Sequence, residues 1–245
     1  IYYSDLRESF GICPKCDHHF RINAYQRIQC LVDPATWEET GSNVIPSDPL
    51  DFSDIKAYSG RLQEARKLSG STEAIITGVG QINNISVALG VMEFAFLGGS
   101  MGSVVGERIV RLVELAIKSS LPLVIVTSSG GARMHEGLVS LLQMAKTSSA
   151  LAKLKEKGLL FISVLADPTY GGVSASFALL GDIIIAEPDA KIGFAGPRVI
   201  KETIRQKLPD DFQTSQYLLE HGQIDLVVHR HQLKKTLSQL LEMHS

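Results

Sequence analysis

Cysteine, tryptophan and net charge are all scarce in this chain. Of its 245 residues three are cysteine (Cys13, Cys16 and Cys30) and one is tryptophan. Three thiols do not make a disulfide framework, which points to a reducing compartment. The formal net charge is −2, so no global field draws the chain to nucleic acid or to an anionic membrane. No apolar run approaches the roughly 20 residues of a membrane span, and no secretory signal is visible. The first residue is isoleucine rather than methionine, and a preceding segment is expected. What is present, 44% hydrophobic and 20% charged residues, suits one enzyme-sized α/β domain with a small appendage.

Two of the three cysteines form a CxxC knuckle in "CPKCDHHF". Such a turn points two thiolates at one metal, but zinc takes four ligands and a ribbon draws them from two knuckles. Three readings stand on the residues alone: half a zinc ribbon whose partner precedes Ile1, a site completed by His18 or His19, or no metal. No thioredoxin-like βαβ pattern surrounds the knuckle, which argues against redox chemistry. Cys30 falls in a helical stretch and is expected to pack.

Hydrophobic periodicity organises the rest. "INAYQRIQCLVD" reads as an amphipathic helix ended by Asp33-Pro34. Residues 31–70 are polar, broken by Pro46 and Pro49, and read as a linker with a short helix over 58–68. "EAIITGVGQI" and "ISVALGVME", joined at Asn83-Asn84, predict a hairpin. A helix is expected after Ser103, then strand 121–127, helix 133–156, strand 159–165 and helix 172–180. Two short strands and helices over 199–207, 215–222 and 231–242 complete the pattern. Strands alternating with helices predict an α/β fold with mostly parallel pairing.

Two strand exits share one peculiarity. "LPLVIV" leaves through "SSGGARMHEG", and "LLFISVLAD" leaves through "PTYGGVSASFALL". Paired glycines allow a sharp turn and let a ligand approach the backbone without a Cβ in the way. At a helix start the first amides lack intrahelical partners and can hold an anion. Two such turns from neighbouring strands would aim two amides at one developing oxyanion. Each turn taken alone is also consistent with a plain connection.

The words around these glycines, "FAFLGGSMGSVVGER", "SSGGARMHEGLVSLLQMAKTSSAL", "DPTYGGVSASFALLGDIIIAEP" and "IGFAGPRVI", closely resemble the β subunits of multi-subunit acetyl-coenzyme A carboxylase carboxyltransferases. That family belongs to bacteria and plastids, and the resemblance extends over nearly the whole chain, including "CPKCDHHF". It implies a crotonase-type spiral of ββα units, assigned here to residues 71–245. Residues 1–30 would hold half of a zinc ribbon and the first helix, with Cys13 and Cys16 as its second knuckle. It implies transfer of a carboxyl group from carboxybiotin, delivered by a separate carrier protein, to acetyl-CoA, giving malonyl-CoA.

Carried over residue by residue, the oxyanion hole falls on Gly131, Ala132, Gly171 and Gly172, with Ala132 and Gly172 as the two donors. Gly130 and Arg133 are expected at the substrate. For Arg133 two roles stay open, contact with the nucleotide end of coenzyme A or bracing of the turn. The implied partners are a carboxyltransferase α subunit in an α2β2 assembly, the biotin carboxyl carrier protein and biotin carboxylase. The implied location is bacterial cytoplasm, with plastid stroma as the alternative. One departure is His135, where the family pattern has glutamine, and a tolerated replacement facing partner or solvent is expected.

Rival readings rest on less. Ser129, Ser174 and Ser176 lie near the glycines, but the nucleophile elbow GxSxG is missing. A zinc-ribbon nucleic-acid module would have only Lys15, Arg21 and Arg27 as local positive charge, thin for tracking phosphates. A decarboxylase of the same family would use the same oxyanion hole in reverse.

Overall fold

A computed structural model describes residues 1–204 and 208–244. Its centre is one mixed sheet. The strands are β1 (Glu38–Thr40), β2 (Ile75–Ile82), β3 (Ile85–Met92), β4 (Leu123–Ser129), β5 (Phe161–Tyr170), β6 (Ile183–Ala186), β7 (Ile192–Gly193) and β8 (Leu226–Val227). They lie in the order β1-β2-β3-β4-β5-β6-β8, with β7 added to the end of β5. β1, β2 and β3 pair antiparallel, and every pairing from β3 onward is parallel.

The β2–β3 hairpin turns at Asn83 and Asn84, both with positive φ, the geometry a two-residue turn of right-twisted strands demands. Asp33 accepts hydrogen bonds from both of their amides, at 3.2 and 2.8 Å. The apolar runs of β4 and β5 are continuous because both faces of the sheet are covered. Leu123 and Ile125 face one core and Val124 and Val126 the other. On one side lie α3 (Tyr58–Ser69), α4 (Ser103–Ser119) and α5 (Gly137–Glu156); on the other lie α2 (Ala24–Leu31) and α9 (Arg230–Met243), following α1 (Tyr3–Glu8). The remaining helices are α6 (Gly171–Ser174), α7 (Pro197–Ile204) and α8 (Ser215–Glu220). No helix among the described residues is long and apolar enough to cross a membrane. The helix expected over 199–207 begins at Pro197, and its last positions lie outside the described residues.

Two expected helices differ from expectation. That over 133–156 begins only at Gly137, because Arg133 is extended and Gly137 takes a positive φ after a 3-10 turn, Met134–Glu136. That over 172–180 splits into α6 and a 3-10 turn, Phe177–Leu179, because Ser176 leaves helical geometry. The polar stretch 31–70 also contributes the edge strand β1. Buried Arg108 donates to the carbonyls of Ile75 (2.7 Å) and Val44 (2.9 Å), stapling that stretch to the sheet.

The N-terminal knuckle docks on α9. Arg230 donates to the carbonyls of Phe10 and Phe20, at 2.7 and 2.9 Å, and to the buried carboxylate of Glu187, at 2.7 and 2.6 Å. Arg27 binds the same carboxylate, at 2.7 and 3.2 Å. Burial alone would raise the Glu187 carboxyl, but the two guanidiniums outweigh it and hold the group below the usual carboxylate range.

Candidate active site

β3, β4 and β5 are adjacent and parallel, so their C-terminal ends deliver three Gly-Gly turns to one place. Gly98-Gly99 follows β3, Gly130-Gly131 follows β4 and Gly171-Gly172 follows β5. The Gly130 amide donates to Gly98 O at 2.9 Å, and Ser129 Oγ donates to Gly99 O at 2.7 Å. Gly131 has φ +117° and Gly171 φ +60°, and a Cβ on either would lie 3.1 or 3.0 Å from the other's Cα. Only glycine satisfies both the backbone conformation and the contact.

The amides of these turns divide into used and unused. Gly131 N donates to Ser129 Oγ (2.9 Å), Arg133 N to Met101 O (2.9 Å) and Gly171 N to Phe194 O (3.0 Å). Ala132 N and Gly172 N donate to no protein group among the described residues. They are neighbours: a Cβ built on Gly172 would lie 3.4 Å from Ala132 N. Gly172 N also belongs to the first turn of α6, where helical amides have no intrahelical acceptor. Two unpaired donors, fixed side by side by rigid strands, are suited to an oxyanion. Gly130 lies at the exposed rim, its amide already committed to Gly98.

Arg133, open between a coenzyme A contact and a brace, is placed as a brace. Its side chain is wholly buried, and its guanidinium donates to Glu73, Glu136, Tyr58 Oη and both oxygens of Ser100. Tyr58 Oη donates to Glu136 at 2.7 Å, and the other Glu136 oxygen accepts from Ser103 N at 2.6 Å. Burial would lower the Arg133 pKa, but the Glu73 carboxylate outweighs it and the group stays protonated. Arg133 therefore braces the residue next to Ala132. His135 stacks on Tyr58, with ring centroids 5.0 Å apart, and meets Phe52 edge-on at 5.4 Å; burial pushes its pKa down. His135 is only partly buried, and its packing against these two rings suits a flat ring at this position.

The three serines hold backbone. Ser129 Oγ bridges Gly99 O and Gly131 N, Ser174 Oγ donates to Gly171 O and Gly193 O, and Ser176 Oγ donates to Gly172 O at 2.6 Å. Hydroxyls committed in this way shape the turns.

Cys13 and Cys16 sit in a closed turn framed by the Ile12–His19 bridge, with Cys13 N donating to His18 O at 2.9 Å. Hydrogen bonds from the amides of Lys15 and Cys16 lower the Cys13 thiol pKa. Among the described residues no group of three or more His, Cys, Asp or Glu is arranged to hold a metal. His19 is buried against His229, and burial pulls its pKa down to about 4. Cys30 is partly buried beside the α2/α9 core, as expected of a packing residue.

Residues 22–232 match the family model for the carboxyl transferase domain. The chain belongs to the carboxyl transferase family. It is 54% identical over 244 residues to the acetyl-coenzyme A carboxylase carboxyl transferase subunit beta of Acaryochloris marina, covering 100% of this chain and 80% of that protein. The corresponding chloroplastic subunit of Cyanidium caldarium is 53% identical over 241 residues, 98% of this chain and 90% of its own length. Among solved structures, the transcarboxylase 12S with methylmalonyl-coenzyme A bound superposes with a TM-score of 0.76 at 26% identity, over 90% of this chain and 41% of that one. The fold of this carboxyl transferase is the crotonase-like α/β arrangement around a mixed sheet.

Gly98-Gly99, Glu73, Glu136 and Tyr58 are parts of the site that the sequence reading did not name. A third Gly-Gly after a third apolar strand was a usable signal for the first pair. Glu73 carried none, since a lone glutamate before a strand is ordinarily exposed.

Replacing Arg133 with methionine would leave two buried carboxylates without their counter-charge, and a loss of about 3–5 kcal/mol in unfolding free energy is expected. Arg133→Lys keeps charge but not the planar fork, and recovers only part of it. Chemical denaturation checks the loss. A folded, fully stable variant with a raised KM for acyl-CoA would instead make Arg133 a substrate contact.

Proposed function

We propose that this carboxyl transferase is the β subunit of acetyl-CoA carboxylase's carboxyltransferase and forms malonyl-CoA with the Ala132 and Gly172 amides as its oxyanion hole. The observation that carries this is the pair of adjacent unpaired amides at the ends of β4 and β5. Removing a proton from the acetyl methyl group moves charge onto the thioester oxygen. Donors already aimed at that position cost no reorganisation, and each is worth about 3–4 kcal/mol in related acyl chemistry. Carboxybiotin, delivered by its carrier protein, would supply the carboxyl group, and its ureido nitrogen would take the methyl proton. On this account no side-chain base is needed. Gly131, Gly171 and Gly130 shape the floor and rim of the hole, keeping side chains away from the thioester.

The second half of the reaction calls for a partner. Met134 in the 3-10 turn, and Leu138, Leu141 and Leu142 at helical spacing along the first turns of α5, are exposed by 86, 68, 53 and 56%. Such an apolar stripe is suited to a large obligate interface, here with the carboxyltransferase α subunit, whose own donors would serve the biotin oxygen. An α2β2 assembly, with biotin carboxylase supplying the loaded carrier, completes the proposal. Relatives from a cyanobacterium and a chloroplast fit a bacterial cytoplasm, or a plastid stroma as the alternative.

Cys13 and Cys16 fit half of a tetrahedral zinc site, because amides directed at Cys13 Sγ favour the thiolate that binds metal. Zinc there would fix the fold of the ribbon and take no part in carboxyl transfer. Elemental analysis of the full-length protein is expected to give about one zinc per chain, lost in a Cys13→Ser/Cys16→Ser variant. Zinc unchanged in that variant would remove these two residues from the site.

The test of the proposed activity is Gly172→Val. Its Cβ would sit 3.2 Å from Ala132 Cβ and 3.3 Å from Met144 Sδ, displacing one donor from the other. In the assembled enzyme kcat is expected to fall at least about a hundredfold, with a much smaller change in stability. Near-normal turnover by the folded variant would make this turn only a turn.

A further inference from the structure

The direction of the Gly172 amide depends on where Gly171 is held, and Gly171 is held by a strand of two residues. Its amide donates to Phe194 O, immediately after β7, while Ser174 Oγ grips Gly193 O at 2.8 Å. β7 meets β5 only through the Thr169–Ile192 and Tyr170–Gly193 pairs, too little to be rigid alone. Its other side rests on Gln213. The buried carboxamide of Gln213 donates from Nε2 to Ala195 O at 2.8 Å, and its backbone carbonyl accepts from Ile192 N at 2.9 Å. The side chain lies flat on Gly193, where any Cβ would strike its amide group. Lys191 and Thr214 extend the contact as an antiparallel bridge.

Gln213 holds this place in a left-handed backbone, with φ +64°. A glycine would adopt that conformation with less strain, and retained strain of this kind marks a side chain with a task. We propose that Gln213 is a positioning residue for the Gly172 donor, a proposal that rests on the oxyanion reading above. It fixes Gly193, Phe194 and Ala195 from outside the sheet. Phe194 O then ties up the Gly171 amide and leaves the Gly172 amide as the one that points at substrate.

The test is Gln213→Gly in the assembled enzyme, which relieves the backbone and deletes the carboxamide. Thermal stability is expected to hold or rise, kcat to fall at least about tenfold, and KM for acetyl-CoA to stay within about twofold. Hydrogen exchange at the Gly171 amide is expected to quicken. Gln213→Asn tolerates the left-handed backbone but is one methylene too short for Ala195 O, and should lose turnover in the same direction. Turnover within about twofold of the parent in either folded variant, or unchanged exchange at Gly171, would overturn the proposal. Gly172→Val measured alongside separates two failures. If it is impaired and Gln213→Gly is not, only the brace is wrong; if it turns over normally, the oxyanion reading has failed.

Discussion

Backbone packed on backbone is the constraint from which this site follows. Gly131 and Gly171 leave adjacent parallel strands with positive φ and come close enough that a methyl group on either would touch the other's Cα. Side chains cannot form that contact. It exists because strand spacing fixes how near two neighbouring exits can come, and because glycine alone fills the remaining gap. Once the turns are pressed together, four of their amides find acceptors within the protein and Ala132 and Gly172 are left over. The unpaired donors are a by-product of close packing, which is why they are rigid.

Such a contact needs restraint from outside, and the molecule supplies it with buried charge and hydrogen bonds rather than apolar bulk. Arg133 is locked by Glu73 and Glu136 on one side of the paired turns, and Gln213 and Ser174 hold β7 on the other. Buried ions add little net stability compared with well-packed apolar groups, but they are strongly directional. Where a group must be held in one orientation, direction matters more than total stability. The Glu187, Arg27 and Arg230 cluster applies the same means to the N-terminal knuckle, fixing it to α9 beside the sheet.

Much of the scaffold was legible in the sequence because long elements carry periodicity. The hairpin at Asn83-Asn84, the continuous strands β4 and β5 and the amphipathic α4 announce themselves through turn residues and apolar spacing. β1 and β8, of three and two residues, are too short for any period to register. The late start of α5 depends on the conformation of Gly137, and composition does not report φ. Arg133 is the clearest limit. Beside two glycines it reads equally as an anion contact or a brace, and the choice depends on Glu73, sixty residues earlier in the chain and brought near only by folding. A donor role for Ala132 and Gly172 is what the family resemblance implies; in the structure their amides are unpaired while those of their neighbours are paired.

Under the proposed function these two amides, and not the others of the same turns, meet the oxyanion. Amide NMR of the isotope-labelled β subunit in the assembled enzyme, titrated with a non-reactive acetyl-CoA analogue bearing an enolate-like oxygen, tests it directly. Large downfield proton shifts are expected for Ala132 and Gly172, as charge-assisted bonds form, with Gly130, Gly131 and Gly171 nearly unmoved. Equal shifts across all five amides, or shifts absent from Ala132 and Gly172, would contradict it.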